Sequence, residues 1–261
     1  PIMLVVLAYL LLIAIGTALL SMPQAAVRPV SLIEAFFTSM SAVCVTGLSV
    51  VDISATFNDT GHWFIVVLMQ LGGLGIMTAS TTLILLAGMH PGFSHQSVFF
   101  SEFTQEGNID AGRILRAVIP FTFVLELIGG IIYFTQFESM ELYDRILCSV
   151  FQAVSSFCGV GFTLFPNSLE GFQYNPVMNI TTCILVLAGG FGFLAIAELR
   201  YIFDFTHKEI RRVSLHTRIA TYGTIIVIIA SILVFSFTEW NNLFSGHSFG
   251  ENAQSVLFMA F

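Results

Sequence analysis

Apolar residues dominate long stretches of this chain, and polar residues gather between them. Ile2 to Leu20 is an almost unbroken apolar run, and Trp63–Ala87, Ile114–Phe134, Val177–Ala197 and Ile219–Phe237 are similar. Each approaches the roughly 20 residues an α-helix needs to cross a ~30 Å hydrocarbon layer. The pattern predicts five membrane-crossing helices. Two shorter apolar segments, Leu32–Val43 and Tyr143–Phe157, are too short to cross comfortably and predict re-entrant helices.

The short segments belong to an internal repeat. At a constant offset of 114 residues, Phe37 matches Phe151, Ser41 matches Ser155, Cys44 matches Cys158 and Gly47 matches Gly161. The next span repeats as well, with Gly72-Gly73-Leu74-Gly75 after the first segment and Gly189-Gly190-Phe191-Gly192 after the second. The repeating unit is span, short helix, glycine turn, span. Two crossings per unit give successive units the same orientation, which suits parallel packing around one axis rather than inverted repeats. The expected fold class is an all-α membrane protein of helix–pore loop–helix (M-P-M) units around a central pore. The expected divisions are a first pore unit, 1–87; a linker, 88–113; a second unit, 114–203; a linker, 204–216; and the start of a third unit, 217–261. In that third unit Val256–Phe261 aligns with Ser31–Phe36, so the register implies an incomplete polypeptide.

Composition agrees with the pattern. Hydrophobic residues make up 56% of the chain and charged residues 10%, against about 25% charged in a soluble domain. That excess excludes cytosolic and secreted readings. The first run has no positive n-region and no usual cleavage site, so it reads as a span and not as a signal peptide. Cys44, Cys148, Cys158 and Cys183 lack metal-ligand spacing, and the six histidines form no paired motif. No catalytic residue, cofactor or nucleic-acid partner is expected. Glu126 is an intramembrane acid standing alone, read as a structural carboxylate bonded to a neighbouring helix; an intramembrane enzyme would need a pair.

Basic residues cluster at two places: Arg113 and Arg116, and then Arg200, Lys208, Arg211, Arg212 and Arg218. Basic residues stay cytoplasmic in short loops, so both linkers are expected in the cytosol. The remaining connections are acidic, with Asp52, Asp59, Glu138, Glu141, Asp144, Glu170, Glu239 and Glu251. They read equally as a rim that concentrates cations at a pore mouth and as ordinary solvated charges.

Non-helical backbone at membrane depth is tolerated only where protein buries it or where it lines a watery cavity. The turns after the short helices therefore need a polar neighbour, and a dehydrated cation supplies one. Rings of backbone carbonyls replace the hydration shell of K⁺ in this way. The candidate carbonyl donors are Val45, Thr46 and Gly47 in the first turn and Gly159, Val160 and Gly161 in the second. Gly72, Gly73, Gly75, Gly189, Gly190 and Gly192 read as close-packing positions, because small residues let membrane helices approach. The competing reading of the whole is a coupled secondary transporter of another class, carrying a small solute.

Ala35–Asp52 (AFFTSMSAVCVTGLSVVD), Val67–Thr78 (VLMQLGGLGIMT), Val124–Gly129 (VLELIG), Ser155–Leu169 (SSFCGVGFTLFPNSL) and Val213–Thr217 (VSLHT) carry a resemblance. With them the chain resembles the Trk/Ktr/HKT superfamily of K⁺ transporters, specifically the bacterial TrkH- or KtrB-like pore-forming subunit. The resemblance implies four non-identical repeats around one pore, each giving a filter turn with one key glycine, of which this chain holds about two and a half. It implies K⁺ as the transported ion, a homodimer in the lipid of the plasma membrane (the bacterial inner membrane), and a cytosolic nucleotide-binding regulatory ring. A serine at the first glycine goes with Na⁺ selectivity in plant relatives; Gly47 here favours K⁺. One departure is the second turn, Cys158-Gly159-Val160-Gly161, where the family often has Asn-Ala-Gly.

Overall fold

The computed structural model describes residues 2–86, 104–105, 108–109, 111–190, 215–238 and 249–260. Their order begins with helix α1 (Ile2–Leu20), α2 (Leu32–Val43), a single turn α3 (Ile53–Thr56) and α4 (Asp59–Leu86). A two-residue antiparallel ladder comes next, β1 (Thr104–Gln105) with β2 (Asn108–Ile109). Then come α5 (Ala111–Gln136), α6 (Leu142–Cys158), a 3₁₀ turn (Glu170–Phe172), α7 (Pro176–Gly190), α8 (Leu215–Thr238) and α9 (Phe249–Ala260). The described residues are thus mostly helical. Both α2 and α6 are followed by a non-helical turn and, further on, by the helices α4 and α7 respectively.

Among the described residues Val118–Gln136 and Thr221–Thr238 are long and apolar enough to cross a bilayer, while Val6–Leu20 and Pro176–Gly190 are shorter apolar helices. On α8 the apolar residues Ile219, Tyr222, Ile226, Leu233 and Phe237 are each more than half exposed. Helix α5 starts at Ala111, ahead of the apolar run at Ile114. Helix α9 likewise starts at Phe249, ahead of the Val256 that the repeat register suggests. The register puts Val256 where the first short helix has its capping Ser31, so no hydroxyl is there to cap a helix. Most of the two basic linkers, with Arg200, Lys208, Arg211 and Arg212, and also Gly192, lies outside the described residues.

The fold divides into two compact units, Pro1–Ile76 with Thr122–Gly190, and Met77–Phe121 with Phe191–Phe261. In the second unit α8 packs on α9. The first unit holds both glycine turns and the main core, which gathers Ile13, Leu20, Val43, Phe57, Ile65, Met69, Phe151 and Phe162.

Within that first unit α1 packs along α2, and α6 along α7. A Cβ on Gly16 would overlap Ser39 and stand 2.8 Å from Leu68, so this glycine lets α2 and α4 approach α1 closely. Ser39 Oγ uses the proximity to donate to the Ile13 carbonyl at 2.9 Å. Val27 N donates to Thr56 O at 2.9 Å and Asn58 N to Ala25 O at 3.1 Å, closing the loops at the end of α1 and the start of α4. The second half is tied by Arg145, whose Nε donates to Phe134 O at 2.6 Å while the guanidinium lies 3.9 Å from the Phe134 ring centroid. Trp63 Nε1 donates to Tyr143 Oη at 3.3 Å, joining α4 to α6.

Candidate functional site

Helix α2 is delimited by its own sequence. Ser31 caps it, accepting from Glu34 N at 3.3 Å, while the Glu34 carboxylate accepts from Ser31 N at 2.8 Å. This reciprocal capping box satisfies two otherwise orphaned donors. Arg28 pairs with Glu34 at 3.0 Å, and that guanidinium hydrogen bond, reinforced by Ser31, holds the carboxyl at about 2. Asp52 caps α3, and its bond from the Ser54 hydroxyl keeps its carboxyl below the usual range.

Both short helices end in the same arrangement. In the first, Thr46 N donates to Ser41 O at 3.0 Å and Val45 N to Ala42 O at 3.4 Å. In the second, Val160 N donates to Ser155 O at 2.9 Å and Gly159 N to Ser156 O at 3.2 Å. The bonds correspond pairwise at the repeat offset. Each is a Schellman ending, which requires one left-handed residue directly after the helix cap. Gly159 fills that place with φ 73°, and Val45 fills it with φ 56°.

Capping does not account for a second left-handed residue in each turn. Two positions further along the chain, Gly47 has φ 69° and Gly161 φ 85°. Among the described residues positive φ occurs only at these four positions and at Ser168. In each turn, then, left-handed residues flank one that is not left-handed, Thr46 or Val160. Each turn also stands at the C-terminal, negative end of its helix dipole.

The two turns meet. A Cβ on Gly47 would overlap the Val160 carbonyl oxygen and stand 3.0 Å from its carbon. Gly159 and Gly161 have open space around them, so their glycines answer to φ alone.

Side chains behind the turns hold them. Thr46 Oγ1 donates to Ser41 Oγ at 3.0 Å, and buried Ser155 Oγ donates to Phe162 O at 2.7 Å. Ser156, next in line, shares hydrogen bonds with Tyr133 Oη at 3.2 Å and Gln152 Nε2 at 3.2 Å. Tyr133 continues to Thr182 Oγ1 at 2.8 Å, linking α5, α6 and α7. Sequence reasoning matched Ser41 with Ser155 as repeat partners without assigning them a role, although their recurrence was the available signal. Tyr133 and Gln152 sit without counterparts of their own kind in the first repeat.

The glycines of the spans after the turns make close approaches in an equivalent way. A Cβ on Gly72 would overlap Val43 O and stand 2.8 Å from its carbonyl carbon; one on Gly189 would overlap Phe157 O and stand 2.9 Å from its carbon. Val43 and Phe157 correspond at the repeat offset, so α4 and α7 each press a glycine onto the last turn of α2 and α6 respectively. Gly73 meets Cys158 and Gly75 meets Tyr9, while among the described residues nothing stands within 4 Å of a Cβ on Gly190. Glu126 is 6% exposed and its carboxyl adjoins the Gln70 amide, while its Oε1 has no hydrogen-bond partner. Its neighbour is thus a side chain of α4.

Among the described residues two helices are long and apolar enough to cross a bilayer, and two others end in left-handed turns, which is the make-up of a helical membrane protein. The chain matches the family described as "TrkH: Cation transport protein" over residues 2–245, and it belongs to that family. Among curated proteins it is similar to the "Potassium/sodium uptake protein NtpJ" of Enterococcus hirae, 28% identical over all of this chain and 57% of the relative. It is also similar to two Bacillus subtilis proteins. The "Ktr system potassium uptake protein B" is 28% identical over 90% of this chain and 52% of the relative. The "Ktr system potassium uptake protein D" is 30% identical over all of this chain and 58% of the relative. The chain spans about half the length of the curated relatives it matches.

Proposed function

We propose that this chain forms part of a K⁺ uptake pore, in which Val45, Thr46 and Gly47 and, across from them, Gly159, Val160 and Gly161 contribute backbone carbonyls to a selectivity filter. The observation that carries this reading is the recurrence of one unusual backbone: two Schellman endings, each with a second left-handed glycine two residues later, brought into mutual contact. Helix capping needs the first left-handed residue and leaves the second unexplained. Backbone carbonyls in a filter replace the hydration shell of K⁺, and the helix dipoles behind them favour a cation over an anion. Family membership and the relatives named as potassium uptake proteins support the same ion.

In this reading 1–87 and 114–203 are parallel M-P-M pore units, 217–261 begins a third, and the basic linkers 88–113 and 204–216 face the cytosol. The protein sits in the plasma membrane as a multi-pass subunit surrounded by lipid. It forms a homodimer and works with a separate regulatory component, which the relatives' "Ktr system" names support; the family resemblance makes that component a cytosolic nucleotide-binding ring. The deciding experiment is ion selectivity in the full-length protein. Serine at Gly47 and at Gly161 should lower the Rb⁺/Na⁺ uptake ratio, with unitary currents retained, as a pore requires. Unchanged ratios at normal membrane levels, or strict stoichiometric coupling without unitary currents, would overturn the reading in favour of a carrier.

A further inference from the structure

The two turns differ at one position in a way that symmetry does not require. The residue after the helix cap must be left-handed in both, and only one repeat provides glycine there. Val45 adopts φ 56°, while its counterpart Gly159 adopts φ 73°. A β-branched residue in this region is a genuine outlier, because its two γ-carbons crowd the adjacent carbonyl. Such strain persists only where the surroundings over-determine it, and it gathers at functional sites.

The surroundings of Val45 do over-determine it. Its N–H bonds to Ala42 O, its neighbour Thr46 is bonded through both N and Oγ1 to Ser41, and its side chain packs against the main core. A valine also has a stiff χ1, so a half-buried valine packed against the core anchors the peptide planes on either side of it. Gly159 has no such packing: it is exposed, and a Cβ there would touch nothing within 4 Å. At this one position the first turn carries a β-branched side chain packed against the core and the second carries a bare glycine; the second turn is held elsewhere, by buried Val160 and Phe162 and the bond from Ser155, and the two touch through Gly47 and the Val160 carbonyl.

We infer that Val45 is a specificity-determining residue, whose strained, core-anchored side chain holds the Cys44–Thr46 carbonyls at a spacing that discriminates K⁺ from the smaller Na⁺. The inference rests on the proposed filter. A turn free to move at this residue closes onto a smaller ion as readily as it fits a larger one; a turn held there by a side chain does not.

The test compares Val45→Gly, Val45→Ala and Val45→Thr in the full-length protein, beside Gly47→Ser. The readouts are the Rb⁺/Na⁺ uptake ratio per protein in the membrane and the midpoint of thermal inactivation in detergent. Val45→Gly should raise the midpoint by a few degrees, since the strain is released, and lower the uptake ratio about threefold or more. Val45→Thr keeps the branched shape and should keep the wild-type ratio. If Val45→Gly does not reach the membrane, Val45→Ala decides: it removes the branch, and its ratio should fall. A raised midpoint with an unchanged ratio would show strain without a role in selectivity, and a lowered midpoint would show that packing outweighs strain; either overturns the inference. If Gly47→Ser also leaves the ratio unchanged, the filter reading itself fails. A changed ratio in Gly47→Ser with none in Val45→Gly or Val45→Ala sinks the role of Val45 alone.

Discussion

Replacing Gly47 by serine perturbs the first turn in two separable ways. The backbone there has φ 69°, a conformation an L side chain enters at a cost of about 1–2 kcal/mol. The new Cβ would also overlap the Val160 carbonyl oxygen and stand 3.0 Å from its carbon, and this obstacle is backbone, which cannot swing aside as a flexible side chain would. Overpacking of this kind costs about 1–3 kcal/mol. Together the two come to about 2–5 kcal/mol, relieved only by moving the second turn's carbonyl away from the first. Gly161→Ser carries the backbone cost alone, about 1–2 kcal/mol, since nothing stands within 4 Å of its Cβ. A change of about 1.4 kcal/mol in the relative binding of two ions is tenfold in their ratio. Gly47→Ser should therefore lower the Rb⁺/Na⁺ uptake ratio of the full-length protein about tenfold or more, and Gly161→Ser should lower it less. Uptake is measured in cells lacking other K⁺ systems and normalised to protein in the membrane. Wild-type ratios in both variants at normal expression, or a more severe loss in Gly161→Ser, would contradict this geometry.

Gly72→Ala and Gly189→Ala drive a methyl into the last turns of α2 and α6, and should cut the amount of folded protein in the membrane severalfold; Gly190→Ala, which meets nothing within 4 Å among the described residues, should leave it unchanged. Quantitative blotting of membranes separates the three, and equal losses at all of them would refute the packing geometry. Ser155→Ala leaves the buried Phe162 carbonyl without its donor and should destabilise by about 1–3 kcal/mol. Thermal inactivation in detergent should show this as a lowered midpoint, and no shift would mean the bond contributes nothing. The Glu34 carboxyl is held at about 2 by Arg28, below its ordinary 4.5. A lowered folded value stabilises above the unfolded value and is lost as pH falls through the folded one. The stability advantage of wild type over Glu34→Gln should thus be full above pH 4.5 and shrink toward pH 2, and a pH-independent difference would refute the pairing.

Much of this architecture is local and so was readable from residue order. The α2 bounds Leu32–Val43 coincide with expectation because a capping box opens the helix and a turn signal closes it, both within the segment's own chain. The long helices arise from unbroken apolarity, and the offset that pairs Ser41 with Ser155 reappears as matching hydrogen bonds. Other features depend on what another segment brings near. Gly189 and Gly190 are indistinguishable as letters in a Gly-Gly pair, yet one meets the Phe157 carbonyl and its neighbour meets nothing among the described residues, because consecutive helical residues point about 100° apart. Glu126 gave no sign that Gln70 would stand beside it, since the two are far apart along the chain. Valine's intrinsic preference argues against a left-handed Val45, and only the packing of its side chain against the core and the bonds to Ser41 and Ala42 impose that conformation. The contact between Gly47 and the Val160 carbonyl is likewise a property of two turns packed together, where close approach excludes a Cβ whatever either turn would adopt alone.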